Sequence, residues 1–300
     1  MNNIKTIDPS DITQQELHAY LLSAIAPRPI CFASTVDKKG NVNLSPFSYF
    51  NVFSSNPPMM IFSPARSGKN NSLKHTHENI KEIPEVVINI VNYDMVEQMS
   101  LTSANYEKGI NEFIKSGLTP IPSNKIKPPR VKETPVSFEC TVSKIIELGD
   151  GPGAGNLILA KVELIHVNTK YLNNKGSLDT TLLDLVGRMG ENWYIRATKE
   201  SLFEITKPIK SKGIGVDNLP ESVKESTVLT GNNLGRLGNV EQLPNNSEIK
   251  KILNDEKNIS KLDLNSNHNF AKKELEKGNI NKALALLIYA ENKINNSLKK

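Results

Sequence analysis

The sequence predicts a mainly β protein, a β-barrel with helical additions. Two observations carry that expectation. Many strand-like runs alternate with few, short helical ones, which is the pattern of a barrel rather than of a doubly wound sheet. Two long strand-like stretches, 136–147 and 157–167, are joined by the glycine-rich tip Gly149-Asp150-Gly151-Pro152-Gly153-Ala154-Gly155.

The elements follow in order. Residues 14–25 have helical spacing through Leu17, Tyr20, Leu21 and Ala24, and the run stops at Pro27-Arg28-Pro29. Two prolines so close end a helix and favour extended backbone after it. A strand at 30–36, a turn at Asp37-Lys38-Lys39-Gly40 and a strand at 41–45 read as a hairpin. Residues 59–62 form a short apolar strand, 72–80 a helix and 85–91 a further strand. Short helices are expected at 95–101 and 111–116, and a proline- and lysine-rich surface loop at 119–135.

Composition shifts after Thr206. The stretch 207–245 is rich in Gly, Asn and Ser and reads as an extended arm between a first domain, 1–206, and a helical segment, 246–300. In that segment Ile280, Leu284, Leu287, Ile294 and Leu298 keep a seven-residue rhythm that Glu291 interrupts. With Phe270, Leu275 and the break at Gly278-Asn279, it reads as a C-terminal α-helical hairpin, too short for a solenoid.

Bulk composition excludes several function classes. The chain has 300 residues, 38% of them hydrophobic, and 37 Lys+Arg against 32 Asp+Glu. The excess is not gathered in arms or tracts, so no nucleic acid is expected as a partner. No run approaches the ~18 apolar residues that span a bilayer, and the N-terminus lacks a signal pattern. No membrane partner is expected, and the default location is cytoplasmic. Cys31 and Cys140 have no metal-ligand spacing and read as small core residues.

Three clusters can carry chemistry. The first holds Ser34, Thr35, Asn43, Ser45, Phe47, Ser48 and Asn51. Small hydroxyl and amide side chains at strand ends can line a ligand cleft, or they can serve turn geometry alone. The second, 63–76, places Arg66, Lys69 and Lys74 with several hydroxyls, Thr76 among them, around a helix start. A helix N-terminus favours a phosphate, and the alternative is a solvated basic loop. The third is Gly187-Arg188-Met189-Gly190-Glu191-Asn192-Trp193-Tyr194. There Arg188 can approach a planar or anionic ligand, or simply occupy a turn. His75 and His77 make a poor metal pair on a helix, and His166 reads as a structural histidine in a strand. Neither G-x-x-x-x-G-K-[ST] nor G-x-G-x-x-G is present.

In this order and spacing the clusters resemble the flavin reductase-like family with the FMN-binding split barrel, especially its flavoredoxin-like branch. The stretches that carry the resemblance are Ala26-Pro27-Arg28-Pro29-Ile30, Ala33-Ser34-Thr35-Val36-Asp37, Asn43-Leu44-Ser45-Pro46-Phe47-Ser48-Tyr49-Phe50-Asn51, Asn56-Pro57-Pro58, Lys74-His75-Thr76-His77-Glu78-Asn79-Ile80 and Gly187-Arg188-Met189-Gly190. They cover roughly residues 10–205. The resemblance implies non-covalent FMN, a homodimer and flavin sites near its interface. Carried over, Ser34, Thr35, Asn43, Ser45, Phe47 and Ser48 would surround the flavin ring and ribityl chain. Lys74 and Thr76, with Arg66, would hold the phosphate, and Arg188 with Tyr194 would close the site. The family's Lys-Asp-Thr is Lys74-His75-Thr76 here, which keeps the cation and the hydroxyl. The Gly-Asp-His of nicotinamide-using members is replaced by Ala154-Gly155-Asn156, which weakens the case for NAD(P)H as direct donor.

The expected function is an FMN oxidoreductase of flavin reductase type. It would pass electrons from NAD(P)H or a protein donor to flavin or another small-molecule or protein acceptor. The alternative is a non-enzymatic FMN-binding protein that carries electrons or senses redox state. The arm is expected to drape over the barrel near the flavin or the partner subunit.

Overall fold

The computed structural model describes all residues except 1, 2, 208–211, 255, 257, 258 and 298–300. Two compact units divide the chain, Met1–Phe203 and Glu204–Lys300.

In the first unit, helix α1 (Gln14–Ala24) starts at a Thr13–Glu16 capping box and ends ahead of Pro27. Seven strands then form one antiparallel sheet: β1 (Cys31–Val36), β2 (Val42–Phe47), β3 (Phe50–Ser55), β4 (Pro58–Phe62), β5 (Glu85–Ile90), β8 (Val136–Glu147) and β9 (Asn156–Val167). Helices α2 (His75–Glu82), α3 (Val96–Leu101), α4 (Glu112–Ser116) and α5 (Thr180–Leu183) decorate it. Two short ladders complete the unit, β6 (Pro120–Ile121) with β7 (Arg130–Val131) and β10 (Val186–Arg188) with β11 (Tyr194–Arg196).

The strand order β2-β1-β5-β8-β9-β4-β3 explains the barrel. The two edge strands, β2 and β3, are consecutive in the chain and separated only by Ser48 and Tyr49. The sheet must therefore curl until its edges approach at that end, while no ladder joins them. The result is a barrel left split.

Strand β1 is buried along its whole length because both of its faces are covered. Cys31 and Ala33 point inward with Phe47, Phe62, Ile88 and Ile158, whereas Phe32 packs outward with Leu44, Met95, Met99 and Phe113. Both cysteines are free and buried, and burial pushes both thiols above their ordinary pKa. His166 Nε2 lies 2.6 Å from the buried Glu139 carboxylate on the neighbouring strand, a structural link.

The strands and helices expected in this unit are present, with the helix expected at 72–80 running from His75 to Glu82, and the structure adds α5 and the β10–β11 ladder, which were not expected. The chain between Phe50 and Ser55 is also a strand, and 119–135 carries the β6–β7 ladder rather than loop alone.

The second unit is helical: α6 (Glu221–Lys224), α7 (Gly231–Gly238), α8 (Asn246–Ile252), α9 (Leu264–Glu276) and α10 (Ile280–Ser297). The expected helical hairpin is α9–α10, with Gly278 between them in the left-handed region at φ +84°. Leu284 and Leu287 of the apolar rhythm are buried, and Leu298 lies outside the described residues.

The described residues of 207–245 do not form an extended arm. Leu219, Val223, Leu229 and Leu237 of this stretch share one core with Ile249, Leu275, Leu284 and Leu287. Two of its glycines, Gly213 and Gly238, serve close backbone approach inside this unit. A Cβ on Gly238 would stand 2.9 Å from Val216 N, and Gly215 N donates to Gly238 O at 2.9 Å. No described helix is long and apolar enough to cross a membrane.

Candidate functional site

Helix α2 opens with Lys74 in the N-cap position, and no side chain caps its backbone N–H groups. Such a terminus presents unpaired donors and the positive end of the helix dipole. A cleft with a volume of about 180 Å³ opens at this point. Asn43 and Ser45 line it from one face of β2, Lys74 and Thr76 from α2, and Asn105 and Tyr106 from the loop after α3. This volume is below the roughly 300 Å³ of a pocket that engulfs a small ligand. It has room for a small anion such as a phosphate.

Polar contacts tie the cleft together. Lys74 Nζ donates to Asn105 Oδ1 at 3.1 Å, an uncharged partner that leaves the ammonium charge uncancelled by that contact. Thr76 Oγ1 donates to Asn43 Oδ1 at 2.8 Å, and Asn43 Nδ2 donates to Glu112 Oε1 at 2.8 Å. One strand inward, Thr35 Oγ1 accepts from Asn79 Nδ2 at 3.1 Å. Ser34 is fully buried and its hydroxyl has no hydrogen-bond partner among the described residues.

The structure therefore gathers Asn43, Ser45, Lys74 and Thr76 in one cleft, with Ser34 and Thr35 in the strand behind. The remaining candidates lie elsewhere in the first unit. Phe47 shares a β2 face with Asn43 and Ser45, but its ring enters the barrel core 5.5 Å from that of Phe62. Arg66 lies in the loop between β4 and α2, where its Nε donates to Asn71 Oδ1 at 2.8 Å, and its carbonyl accepts from Gly153 N of the β8–β9 tip. Arg188 stacks over the Tyr194 ring, 4.7 Å from its centroid, on the β10–β11 hairpin.

That hairpin is tied to Ser48 through the buried Arg28. The Arg28 guanidinium reaches Ser48 Oγ, Met189 O and the carbonyls of Leu22 and Ile25, and the backbones of Arg28 and Arg188 exchange hydrogen bonds. Asn156 is fully buried. Its side chain donates to Pro64 O at 2.8 Å, and its backbone N–H donates to Ser63 Oγ at 3.0 Å.

Residue-by-residue reading missed Glu112, Asn105 and Tyr106 as cleft residues. A clue existed for Glu112: an acidic residue opens the short 111–116 helix, although no local pattern says which strand it faces. Nothing local flags the loop after α3. Among the described residues no group of His, Cys, Asp or Glu could hold a metal ion.

His77, the residue after Thr76, is fully buried, and among the described residues neither ring nitrogen has a hydrogen-bond partner. Burial, with the Lys81 charge, lowers its pKa against the opposing pull of Glu147, whose carboxylate is 3.7 Å away. The unfolded chain then binds a proton near the ordinary histidine pKa of ~6.5 that the folded chain refuses. Stability is full above that pH and falls as the pH drops through it. The urea midpoint of the first unit is expected to decline between pH 7.5 and 5.5, and less steeply in His77→Leu. Equal slopes in the two proteins would exclude His77 as the origin.

Comparisons with known proteins bear on the family and the fold. The flavin reductase like domain family matches residues 23–189, more than half of the chain. A protein of Aquifex aeolicus without assigned function is 34% identical over 189 residues, covering 63% of this chain and 94% of that protein. Among solved structures, nitrilotriacetate monooxygenase component B from Bacillus cereus is 32% identical with a TM-score of 0.63, covering 68% of this chain and 100% of that one. Flavoredoxin of Desulfovibrio vulgaris (Miyazaki F), at 20% identity and a TM-score of 0.52, covers 61% of this chain and 92% of its own and shares the fold. With a family match over more than half of its length, this chain belongs to the flavin reductase-like family, and its first unit has that family's split-barrel fold.

Proposed function

We propose that the first unit binds FMN non-covalently, with the phosphate in the cleft at the start of α2, and works as an oxidoreductase of flavin reductase type. It would take electrons from NAD(P)H or a protein donor and pass them to flavin or another acceptor. The observation that carries this reading is the uncapped α2 N-terminus beside Lys74 in a polar cleft.

The bound flavin supplies the hydride and single-electron chemistry, so the protein needs no acid–base pair. Its residues bind and orient. The backbone donors of α2 and the Lys74 ammonium would hold the phosphate, while Asn43 and Ser45 would face the ribityl chain. Ser34 and Thr35 would act from behind β2. Ser48 and Arg188, already linked through Arg28, would lie toward the ring with Tyr194. Thr76 is a proposed phosphate neighbour through its backbone N–H, and Arg66, outside the cleft lining, a proposed outer cation.

A homodimer in the cytoplasm completes the reading. Val52 and Phe53, each 64% exposed on edge strand β3, support self-association, since such a bare apolar edge is normally covered.

Lys74→Ala is expected to weaken FMN binding by about 1.5–3 kcal/mol, the value of a hydrogen bond to a charged group, while riboflavin binding stays as in the wild type. Titration by flavin fluorescence quenching measures both. Equal FMN affinity in the two proteins removes Lys74 from the site. A purified protein that shows no flavin bands and cannot be reconstituted with FMN sinks the whole reading.

Asn156 favours a second reading, an electron carrier or redox sensor without nicotinamide turnover. It occupies the place of the family's nicotinamide-linked histidine, and its amide is committed to Pro64 O. Absence of steady-state oxidation of NADH and NADPH with added FMN would select this alternative.

A further inference from the structure

We propose that Glu112 is a positioning residue of the flavin site, acting through Asn43 on the first turn of α2; this rests on the flavin reading above. Three buried side chains form the floor of the cleft: Thr76 at 0%, Glu112 at 4% and Asn43 at 8% exposure. Thr76 Oγ1 lies 2.8 Å from Asn43 Oδ1, and Asn43 Nδ2 lies 2.8 Å from Glu112 Oε1. The other carboxylate oxygen, Oε2, accepts from Leu44 N at 3.0 Å.

The chemistry of these groups allows one direction only. A carboxylate accepts and cannot donate, whereas an amide donates at one end and accepts at the other. Glu112 therefore draws the Asn43 nitrogen toward itself and turns the Asn43 oxygen toward Thr76. That oxygen can only accept, so the single hydroxyl proton of Thr76 is given to it.

Two consequences follow. The Thr76 hydroxyl has no proton left for a phosphate oxygen, which is itself an acceptor. Thr76 thus fastens α2 to β2, and anion binding falls to the backbone N–H groups of the first turn and to Lys74. In addition, Glu112 joins three elements around the cleft. It opens α4, satisfies a backbone N–H of edge strand β2 and orders the side chain that holds α2. A ligand that reads the position of the α2 N–H groups would feel a change at Glu112 without touching it.

Glu112→Gln tests this with nearly the same shape, because it replaces one accepting oxygen by a donor. With the remaining oxygen on Leu44 N–H, two NH2 groups face each other, and Asn43 must turn over. The FMN dissociation constant is expected to rise about tenfold in E112Q. In an Asn43→Ala background the same substitution should change it less than twofold, because the path is gone.

The pair N43D/E112Q supplies the rescue. The new amide at 112 donates to the new carboxylate at 43, which still accepts from Thr76, and the net charge of the cleft is unchanged. FMN affinity should return to within threefold of wild type, whereas N43D alone sets two carboxylates against each other and stays weak. This pair also decides the matter if E112Q alone fails to fold.

Equal losses from E112Q with and without Asn43, wild-type affinity in E112Q, or absence of rescue in the pair would each overturn the role of Glu112. A wild-type protein that takes up no FMN fails before any variant is made. That result overturns the flavin reading, and this inference with it.

Discussion

Phe62→Ala lowers the stability of the first unit by about 3–5 kcal/mol, the cost of deleting a buried aromatic ring from a packed core. Phe62 ends β4 with no solvent exposure, and its ring meets that of Phe47 at a 36° tilt. It stands opposite Ile158 on β9 and opposite Phe50 on edge strand β3. Hydrogen-bonded strands hold the surrounding wall in place, so the cavity can close only in part. Whole domains are stable by roughly 5–15 kcal/mol, and this loss removes a large share of that margin.

The proposed flavin site should weaken with it. Phe47 continues the β2 face that carries Asn43 and Ser45, and Ser63, next after Phe62, accepts from Asn156 N. The expected result is a lower urea midpoint with an unchanged m-value. A loss below about 1 kcal/mol would mean that the interior repacks around the missing ring, which a close-packed barrel does not do.

The parts of this fold that were legible in the sequence are those where neighbours along the chain settle the outcome. Pro27 and Pro29 end α1 by local sterics, and Gly40 at φ +84° turns the β1–β2 hairpin. The strands β8 and β9 were long enough to announce themselves. Strand β3 was not. Its residues are exposed or half-buried, with a register shift between Val52 and Ser54, so no two-residue alternation marks it.

The same distinction divides the site. Lys74 and Thr76 sit at a helix start that local pattern reveals, and Asn43 and Ser45 share a strand face by the two-residue period. Glu112 and Asn105 reach the cleft from helices and loops far along the chain, through contacts that only the folded topology creates. The stretch 207–245 misled for a related reason. Its buried Leu219, Val223, Leu229 and Leu237 are widely spaced among glycines and asparagines, so their common core with α9 and α10 is invisible to a periodicity search.

Leu284→Ala costs the second unit about 2–5 kcal/mol, as loss of a fully buried leucine does, and leaves FMN affinity unchanged within twofold. Leu284 is 1% exposed in α10, among Leu275, Leu286 and Leu287. Every residue of that core falls between Ile214 and Tyr289, whereas the cores of the first unit end at Val186. The family match ends at residue 189, and the whole chain of a structural relative is accommodated by 68% of this one. The family's split-barrel fold is thus complete without the helical unit. Urea unfolding followed by far-ultraviolet circular dichroism should show the helical transition moving to lower denaturant, while the transition that FMN stabilises by mass action stays where it was. If FMN affinity falls together with the helical transition, the second unit takes part in flavin binding. The boundary of the site would then have to be drawn beyond Phe203.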